Sequence, residues 1–223
     1  MTIKLVVGEC TLNVVSAYAP QVGLDEEIKR QFWEGLDDIV RSIPPSERLF
    51  IGGDFNGHIG SSAGGYTEVH DGFGFGERNG GGTSLLDFAK AFYLMIANSS
   101  FPKWEEHLVN YQSSAAKTQI DYLLLCRCDR RWCEDCKVIL GETLATQHRL
   151  LVMDIGITIK RKMRFCLGDL FSFFETLCSP CQMRSQMDLC LRQCHICRKL
   201  CLTLQGNCIQ FCSPFFASIL MQD

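Results

Sequence analysis

Short runs of β-branched and aliphatic residues alternate with longer amphipathic segments along the first 160 residues of the chain. The short runs are of strand length, and glycine, proline or polar residues bound them. They predict strands at 3–7, 12–18, 48–53, 120–125 and 148–157. Gly8-Glu9 separates the first two runs, which predicts a hairpin. Because strands and helices alternate, the pattern predicts an α/β fold in which helices cover sheets.

Two longer segments carry apolar residues at the spacing of an amphipathic helix. Residues 25–43 begin with acidic residues, which interact favourably with the positive end of the helix dipole. A second helix is predicted over 85–97, with Ser84 as its N-cap and Asp87 as the acid of a capping box. The glycine-rich residues 57–82 that precede it predict a long loop.

Cysteine is distributed unevenly and divides the chain in two. Of the 14 cysteines, nine fall between Cys166 and Cys212, and the first 160 residues hold five. A basic run at 160–162 separates the two parts. The sequence therefore predicts one α/β domain over residues 1–160 and a Cys-rich tail over 161–223 that is not an ordered domain.

The net charge of −3 and the pI of about 6.0 give the chain no overall basic character. Composition alone therefore does not indicate a nucleic-acid-binding protein, although a local site could still bind phosphate groups. No early apolar run resembles a signal peptide, and no uncharged stretch of about 18 residues resembles a membrane span. We expect an intracellular protein, in the nucleus or the cytoplasm, without a membrane partner or a disulfide framework. The sequence leaves its oligomeric state open.

The strand at 48–53 leads directly into polar residues flanked by glycines, in "GGDFNG". Asp54 and Asn56 lie two positions apart, so on an extended segment they face the same side. In α/β folds, polar residues just past a buried strand point into the crevice where ligands bind. A carboxylate beside a carboxamide suits a hard cation or a water molecule near a phosphate. The alternative is an ordinary turn, because aspartate, asparagine and glycine are common turn residues.

Four segments carry a resemblance to a known family. "SAYAPQVG", "GGDFNGHIG", "TQIDYLLL" and "TQHRLLVMD" follow one another in this order within residues 16–154. Together they resemble the endonuclease/exonuclease/phosphatase superfamily of metal-dependent phosphodiesterases. The likeness is greatest to the craniofacial development protein 2-like group and to the endonuclease domains of LINE-type retrotransposons. It covers about residues 1–160 and implies a four-layer α/β sandwich.

The resemblance also implies that a water molecule hydrolyses a phosphodiester with the help of Mg²⁺ or Mn²⁺. Tyr18 of "AYAP" would contact the phosphate. Asp54 would position or deprotonate the attacking water, Asn56 would hold Asp54 and the phosphate, and both would bind the metal weakly. His148 would bind the scissile phosphate, and Asp121 of "IDY" would accept a hydrogen bond from its ring. The implied substrate is nucleic acid, DNA in preference to RNA.

Each of these residues also has an ordinary structural interpretation. Tyr18 fits the end of a strand, and His148 fits a surface position, because the burial of histidine is intermediate. Asp121 within an apolar strand is harder to explain in this way, because a buried carboxylate needs a partner. Three further histidines match no motif, and we expect them in loops or at the surface: His58, His70 and His107.

Two departures from the family pattern predict weak or absent activity. Gln147 stands where the family has an aspartate that serves the metal centre, and its neutral oxygen lacks the charge that a hard cation prefers. The family's metal-binding glutamate precedes the region matched here, and Glu9 does not match it. We therefore expect the domain to be incomplete at its N-terminus. The predicted function is that of a truncated Mg²⁺-dependent phosphodiesterase of retroelement origin.

The tail offers an alternative function, that of a non-catalytic binding or interaction protein. The C-x₂-C-x₁₂-C-x₂-C pattern of a four-thiolate zinc site is formed by Cys178, Cys181, Cys194 and Cys197. Other tail cysteines are scattered around these four, so pairs at this spacing arise easily by chance. We therefore expect no Zn²⁺ in the tail. Cys133 and Cys136 form another C-x₂-C pair, which we expect in a polar loop.

Overall fold

The computed structural model describes residues 1–143, 147–156, 201–205 and 208–213. These ranges contain strands, two α-helices and three short 3-10 helices. The strands are β1 (Thr2–Val7), β2 (Cys10–Tyr18), β3 (Arg48–Asp54), β4 (Leu94–Ile96), β5 (Tyr111–Gln112), β6 (Lys117–Thr118), β7 (Asp121–Cys126), β8 (Cys133–Thr143), β9 (Arg149–Gly156), β10 (Cys201–Gln205) and β11 (Cys208–Ser213). The helices are α1 (Glu26–Ser42) and α2 (Gly80–Ala91), and the 3-10 helices are Ala97–Ser99, Glu105–His107 and Arg127–Trp132.

The first sheet has the strand order β1-β2-β3-β7-β4. β1 and β2 form the predicted antiparallel hairpin, whose turn contains Gly8 with a φ of 65°. β2 and β3 are parallel, so the chain must cross over between them, and α1 lies in this connection. The N-cap of α1 is Asp25, whose side chain accepts a hydrogen bond of 2.9 Å from the backbone N–H of Glu27. The remaining pairings, β3 with β7 and β7 with β4, are antiparallel.

The first sheet buries both of its faces, because successive strand residues point to opposite sides. On one face, Val15 of β2 and Leu124 of β7 belong to a core that also contains Leu36 of α1 and Leu86 of α2. On the other face lies a core that joins this sheet to the second one. The two helices and the first sheet therefore form two packed layers.

The second sheet has the strand order β10-β11-β9-β8 and packs on the face of the first sheet that is turned away from the helices. Val14 of β2 and Leu123 of β7 share this second core with Val138 of β8 and Met153 of β9. Helices, first sheet and second sheet make three successive layers within the described residues. The predicted fold class, an α/β sandwich, is confirmed, and three of its four predicted layers are present in the described residues.

The second predicted helix is shifted toward the N-terminus. α2 begins at Gly80 and not after Ser84, and its N-cap is Asn79, whose side chain accepts a hydrogen bond of 2.9 Å from the backbone N–H of Gly82. Glycine is needed at position 82, because a Cβ there would lie 1.7 Å from the carbonyl oxygen of His58. Close packing therefore explains why this helix begins with glycines. A helix-propensity scale scores the same glycines as unfavourable in a helix, so it does not predict this start.

The other end of α2 and the predicted capping box also differ from expectation. α2 ends at Ala91, because Tyr93 adopts a left-handed φ of 55° and the chain then enters β4. Asp87 does not close a capping box. Its carboxylate instead accepts a hydrogen bond of 2.6 Å from the hydroxyl of Tyr66. The helix therefore ends at Ala91, whereas the predicted helix extends to residue 97.

The prediction of a polar loop around Cys133 and Cys136 is wrong. Both cysteines lie on β8, and they are 4% and 1% exposed. Charged neighbours obscure this strand in the sequence, and an irregularity in register between Cys133 and Asp135 breaks the alternation of its side chains. Both cysteines therefore face the same core between the sheets. Burial raises the pKa of the Cys133 thiol to about 12, so this residue is a small apolar core side chain.

The three histidines without a motif lie in different surroundings. His70 lies in a loop, as expected, but its side chain is fully buried, with Nε2 3.0 Å from the carbonyl oxygen of Gly60. Its Nδ1 accepts a hydrogen bond of 2.9 Å from the N–H of Gly72, which explains how a polar ring is accommodated there. His58 is partly buried, and His107 lies in the second 3-10 helix.

Most of the predicted tail lies outside the described residues, and so do the four cysteines of the possible zinc pattern, Cys178, Cys181, Cys194 and Cys197. Within the tail, β10 pairs with β11, and β11 pairs with β9, both in antiparallel register. The division of the chain near residue 160 stays a prediction. Neither α1 nor α2, nor any other helix in the described ranges, has the length and apolar character of a membrane span.

Candidate active site

Three neighbouring strands of the first sheet bring predicted site residues to one end of that sheet. Tyr18, the last residue of β2, pairs with Asp54, the last residue of β3. Asp54 in turn pairs with Asp121, the first residue of β7. Paired residues on adjacent strands lie about 5 Å apart, so two carboxylates stand side by side. Asp54 and Asp121 are only 4% and 3% exposed, whereas Tyr18 is 39% exposed.

The chain makes a tight turn directly after Asp54. The Asp54 carboxylate accepts a hydrogen bond of 2.8 Å from the backbone N–H of Asn56, which has a left-handed φ of 46°. Asparagine tolerates this conformation better than most residues. The Asn56 side-chain amide donates a hydrogen bond of 2.7 Å to the carbonyl oxygen of Ala19. The segment is thus a turn, as the alternative interpretation proposed, and this turn fixes one oxygen of the Asp54 carboxylate.

The loop that follows this turn is anchored by Tyr122. The Tyr122 hydroxyl accepts a hydrogen bond of 3.3 Å from the N–H of Ile59. It also lies within donating distance of two carbonyl oxygens, those of Gln119 at 2.7 Å and Gly57 at 3.0 Å. The N–H of His58 donates a hydrogen bond of 2.9 Å to the Asn79 side chain. Residues 57–59 are therefore held by both β7 and the start of α2.

His148 lies just before β9 and reaches the carboxylate pair from the second sheet. Its Nδ1 is joined to Oδ2 of Asp121 by a hydrogen bond of 3.0 Å, the contact that the family resemblance predicts. The ring is buried, and the ring of Tyr111 packs edge-on against it at a centroid distance of 4.7 Å. Through the contacts above, all five candidate residues lie at the same end of the first sheet. Their chemical roles stay predictions.

Two buried asparagines that match no motif hold the backbone at Asp121. Asn110 accepts hydrogen bonds from the N–H groups of Ile120 and Asp121, at 2.9 and 3.1 Å, and donates one of 2.7 Å to the Asp121 carbonyl oxygen. Asn98 donates to the same oxygen at 3.0 Å and accepts from the N–H of Leu123 at 3.2 Å. Asparagine is common in loops, so only the fold distinguishes these two residues from ordinary loop asparagines.

Gln147, which stands where the resembled family has an aspartate, contacts Tyr111. Its Oε1 accepts a hydrogen bond of 2.9 Å from the Tyr111 hydroxyl, and the residue is exposed. The neighbouring backbone is also fixed, because the carbonyl oxygen of Gln147 accepts a hydrogen bond of 2.8 Å from the N–H of Gln112. The side chain and the backbone of Gln147 therefore help to fix the segment that leads into His148.

Burial controls the ionisation of the three central groups. It raises the pKa of Asp54 to about 7, and repulsion from Asp121 acts in the same direction, while the Asn56 N–H and His148 oppose the increase. Burial also raises the pKa of Asp121 well above its ordinary value and lowers that of His148 to about 4. Because burial disfavours charge on either partner, it favours the neutral form of the Asp121–His148 pair, in which the two groups share one proton.

The donor set fits a weakly held hard cation. Oδ1 of Asp121 is buried and has no hydrogen-bond partner among the described residues. Two adjacent buried carboxylates repel each other, and a cation beside them would remove that repulsion. Asp54 and Asn56 each have a side-chain oxygen of the type that such a cation binds. Gln147 adds no charge, so the set is smaller than Mg²⁺ prefers for tight binding.

A cavity of about 570 Å³ lies elsewhere on the surface, and none of the five candidate residues lines it. Its walls include Trp104, Lys117 and Arg149. Trp104 is 82% exposed, and Arg149 hydrogen-bonds to the side chain of Gln112. This cavity is therefore separate from the carboxylate cluster.

Comparison with known proteins finds curated proteins of similar sequence and solved structures that resemble the chain. No family model matches the chain. Over 154 residues, 67% of its length, the chain is 29% identical to craniofacial development protein 2 of Tragulus javanicus and covers 26% of that protein. The similarity to craniofacial development protein 2 of Bos taurus is also 29% over 154 residues, and covers 25% of that protein. The chain thus spans about a quarter of the length of these curated relatives.

Solved structures include the endonuclease domain of TRAS1, a telomere-specific non-LTR retrotransposon. That domain is 17% identical to the chain at a TM-score of 0.49, over 71% of this chain and 64% of the domain. The predicted resemblance is confirmed by the sequence comparison: over about two thirds of its length, the chain is similar to craniofacial development protein 2.

Proposed function

We propose that the chain is an endonuclease-like phosphodiesterase domain that binds nucleic acid, DNA in preference to RNA, and hydrolyses it slowly. The observation that carries this proposal is the buried Asp121–His148 pair beside a second buried carboxylate, Asp54. Such a cluster reduces the stability of a fold, and groups with strongly shifted pKa values are typical of functional sites. The similarity to craniofacial development protein 2 supports the same proposal.

Asp54 is the general base of this proposal. With a pKa of about 7, its carboxylate can accept a proton from a water molecule at neutral pH. The water oxygen forms a bond to phosphorus, the bond from phosphorus to the leaving sugar oxygen breaks, and that oxygen takes a proton from solvent. The Asn56 N–H holds one oxygen of Asp54, so the other oxygen faces the water.

His148 stabilises the negative charge of the phosphoryl group. The shared proton of the Asp121–His148 pair moves to the ring when an anionic phosphate lies beside it, because the anion favours the imidazolium. Asp121 then carries the opposite charge and fixes the orientation of the ring. The hydroxyl of Tyr18, a residue that is 39% exposed, contacts a phosphate oxygen. These three residues account for binding and charge stabilisation, which dominate phosphoryl transfer.

Asp54 and Asn56 would hold Mg²⁺ or Mn²⁺ in this site. When bound, such a cation polarises a phosphoryl oxygen and lowers the pKa of a coordinated water. We expect a dissociation constant of about 1 mM, because few charged oxygens are present. Calorimetry that gives micromolar Mg²⁺ affinity would contradict this part of the proposal.

Nicking of supercoiled DNA in millimolar Mn²⁺ tests the proposed function. We expect slow nicking by the full chain and a loss of about 100-fold or more in Asp54→Asn and His148→Ala, since each removes one group that acts on the transition state. His107→Ala is the matched control. The His107 ring contacts the carbonyl oxygen of Val138 and is not one of the five candidate residues, so this substitution should leave the rate unchanged. Nicking that survives Asp54→Asn would contradict the proposal.

The alternative is that the same site binds phosphodiesters without cleaving them. Gln147 favours this alternative, because it adds no charge to the metal-binding groups. DNA binding that depends on His148 and Tyr18, with no nicking under any metal, would distinguish it. Retroelement origin and a nuclear or cytoplasmic location stay predictions.

A further inference from the structure

We propose that Cys126, Cys128 and Asp129 form a zinc site at the far end of β7. One ligand atom from each residue, two sulfurs and a carboxylate oxygen, lies within 4.8 Å of the other two. Cys126 ends β7, and the other two residues lie in the 3-10 helix Arg127–Trp132. Two thiolates and a carboxylate are a donor set that Zn²⁺ accepts, with a water molecule as fourth ligand.

The three ligand atoms need to move only slightly closer together to bind a tetrahedral ion. Zn–S and Zn–O distances of about 2.3 and 2.0–2.2 Å place ligand atoms roughly 3.5 Å apart, so the cluster contracts by about 1 Å. Cys128 is exposed, and this gives an ion a route to the site. The backbone already holds the two cysteines together, because the Cys126 sulfur accepts a hydrogen bond of 3.4 Å from the N–H of Cys128.

The carboxylate of Asp129 is held in place at the cluster by an ion pair. The residue is 2% exposed, and its Oδ1 lies 2.8 Å from Nη1 of Arg48 on β3. This contact does not have the geometry of a hydrogen bond. The Arg48 guanidinium lies over the Trp132 ring at 5.1 Å, so its position is fixed. Outer groups of this kind orient metal ligands in known sites.

The charges also balance when zinc is bound. Two thiolates and one carboxylate carry three negative charges, and Zn²⁺ with the guanidinium of Arg48 supplies three positive charges. Zinc must displace the thiol protons, so its affinity rises with pH. Without zinc, the Asp129 carboxylate is stabilised mainly by Arg48, with further contributions from Cys128 and Arg131.

This site is independent of the proposed phosphodiesterase site. β7 runs from Asp121 to Cys126, and at about 3.3 Å per residue the two ends lie roughly 17 Å apart. The metal would tie the end of β7 to the following 3-10 helix, and Arg48 would extend this link to β3. We infer a structural zinc ion whose loss leaves the chemistry of Asp54 untouched.

Alkylation of the full-length chain, followed by mass spectrometry of peptides, tests the proposal in zinc buffers. Peptides report each cysteine separately, so the tail cysteines do not obscure the result. At free Zn²⁺ ten times the dissociation constant, alkylation of Cys126 and Cys128 should slow about tenfold, because only the unbound fraction reacts. Cys10 is the matched control, a partly buried thiol outside the cluster, and its rate should not change.

Three variants make the test decisive. Cys128→Ser should abolish the protection of Cys126, and Asp129→Asn should raise the zinc concentration needed for protection. A chain with Cys178→Ser and Cys194→Ser should keep full protection at Cys126 and Cys128. The proposal is overturned if zinc leaves both rates unchanged, if protection of Cys126 persists in Cys128→Ser, or if the two cysteines are recovered as a disulfide before zinc is added.

Discussion

His148 and Asp121 are separated by 27 residues in the chain, yet Nδ1 of the ring and Oδ2 of the carboxylate lie 3.0 Å apart. Asp121 belongs to the first sheet, and His148 immediately precedes β9 of the second sheet. The hydrogen bond therefore crosses the boundary between the two sheets. Because both groups are buried, the contact forms only when the sheets have packed, and the site depends on the completed sandwich.

Asp54→Asn should stabilise the protein at high pH. The pKa of Asp54 rises from 3.8 to about 7 on folding, so the folded protein binds more protons than the unfolded chain between these values. The wild type therefore loses stability as the pH increases through this window, and the variant does not. We expect no difference near pH 4 and one on the order of 4 kcal/mol at pH 8. Urea unfolding at several pH values measures it.

The exposed Asp38 of α1 provides the control for this experiment. Asp38→Asn replaces an exposed side chain and should change stability by less than about 0.5 kcal/mol. A difference for Asp54→Asn that is flat with pH would show that burial does not control the ionisation of Asp54.

The proton of the Asp121–His148 pair should move when phosphate binds. Burial lowers the pKa of His148 to about 4, so its ring should be neutral at pH 7 without ligand. Saturation with inorganic phosphate should convert the ring to the imidazolium, which ¹⁵N NMR of the two ring nitrogens detects. In Asp121→Asn the ring should stay neutral under the same conditions. A wild-type ring unaffected by phosphate would refute the proposed role of the pair.

Gly82→Ala should destabilise the protein strongly, whereas Gly80→Ala should not. A Cβ at position 82 would lie 1.7 Å from the carbonyl oxygen of His58, whereas nothing lies within 4 Å of one at position 80. Backbone atoms cannot move aside cheaply, so we expect a loss of about 3 kcal/mol for Gly82→Ala. Gly80→Ala should change stability by less than about 1 kcal/mol. Thermal unfolding of both variants provides the measurement, and equal effects would contradict this account of α2.

Asn110→Ala should cost about 3 kcal/mol or more of the free energy of unfolding. The substitution leaves the carbonyl oxygen and the N–H of Asp121 and the N–H of Ile120 without their Asn110 partner. Ser113→Ala, in the exposed turn between β5 and β6, is the comparison and should cost less than about 1 kcal/mol. Denaturant unfolding compares the two. A mild effect of Asn110→Ala would indicate that Asn98 holds the strand alone.

The strands with regular apolar patterns were predictable from the sequence, and the close approaches between segments were not. β3 and β7 were predicted correctly because most of their residues are buried and form continuous apolar runs. The start of α2 did not, because the sequence does not display the contact between Gly82 and His58 that requires glycine. β8 was missed for a related reason, since two consecutive acidic residues separate the buried Cys133 and Cys136, and only an irregularity in register brings both cysteines to the core.

The candidate site shows the same division. Short motifs pointed to Asp54, Asn56 and Asp121 because each follows or begins an apolar strand. The role of Asn110 was invisible, because it arises only where the loop before β5 passes the start of β7. Residues that support a site through the backbone leave no local pattern in a single sequence.

The anchored loop at 57–59 determines how a ligand would be received. The Tyr122 hydroxyl and the Asn79 side chain already hold this loop, which directly follows the turn at Asn56. Ligand binding at Asp54 would therefore require little ordering of the backbone, so the associated loss of conformational entropy would be small. The loop at 57–59 is thus preorganised, and we expect it to keep its conformation when a ligand binds at Asp54.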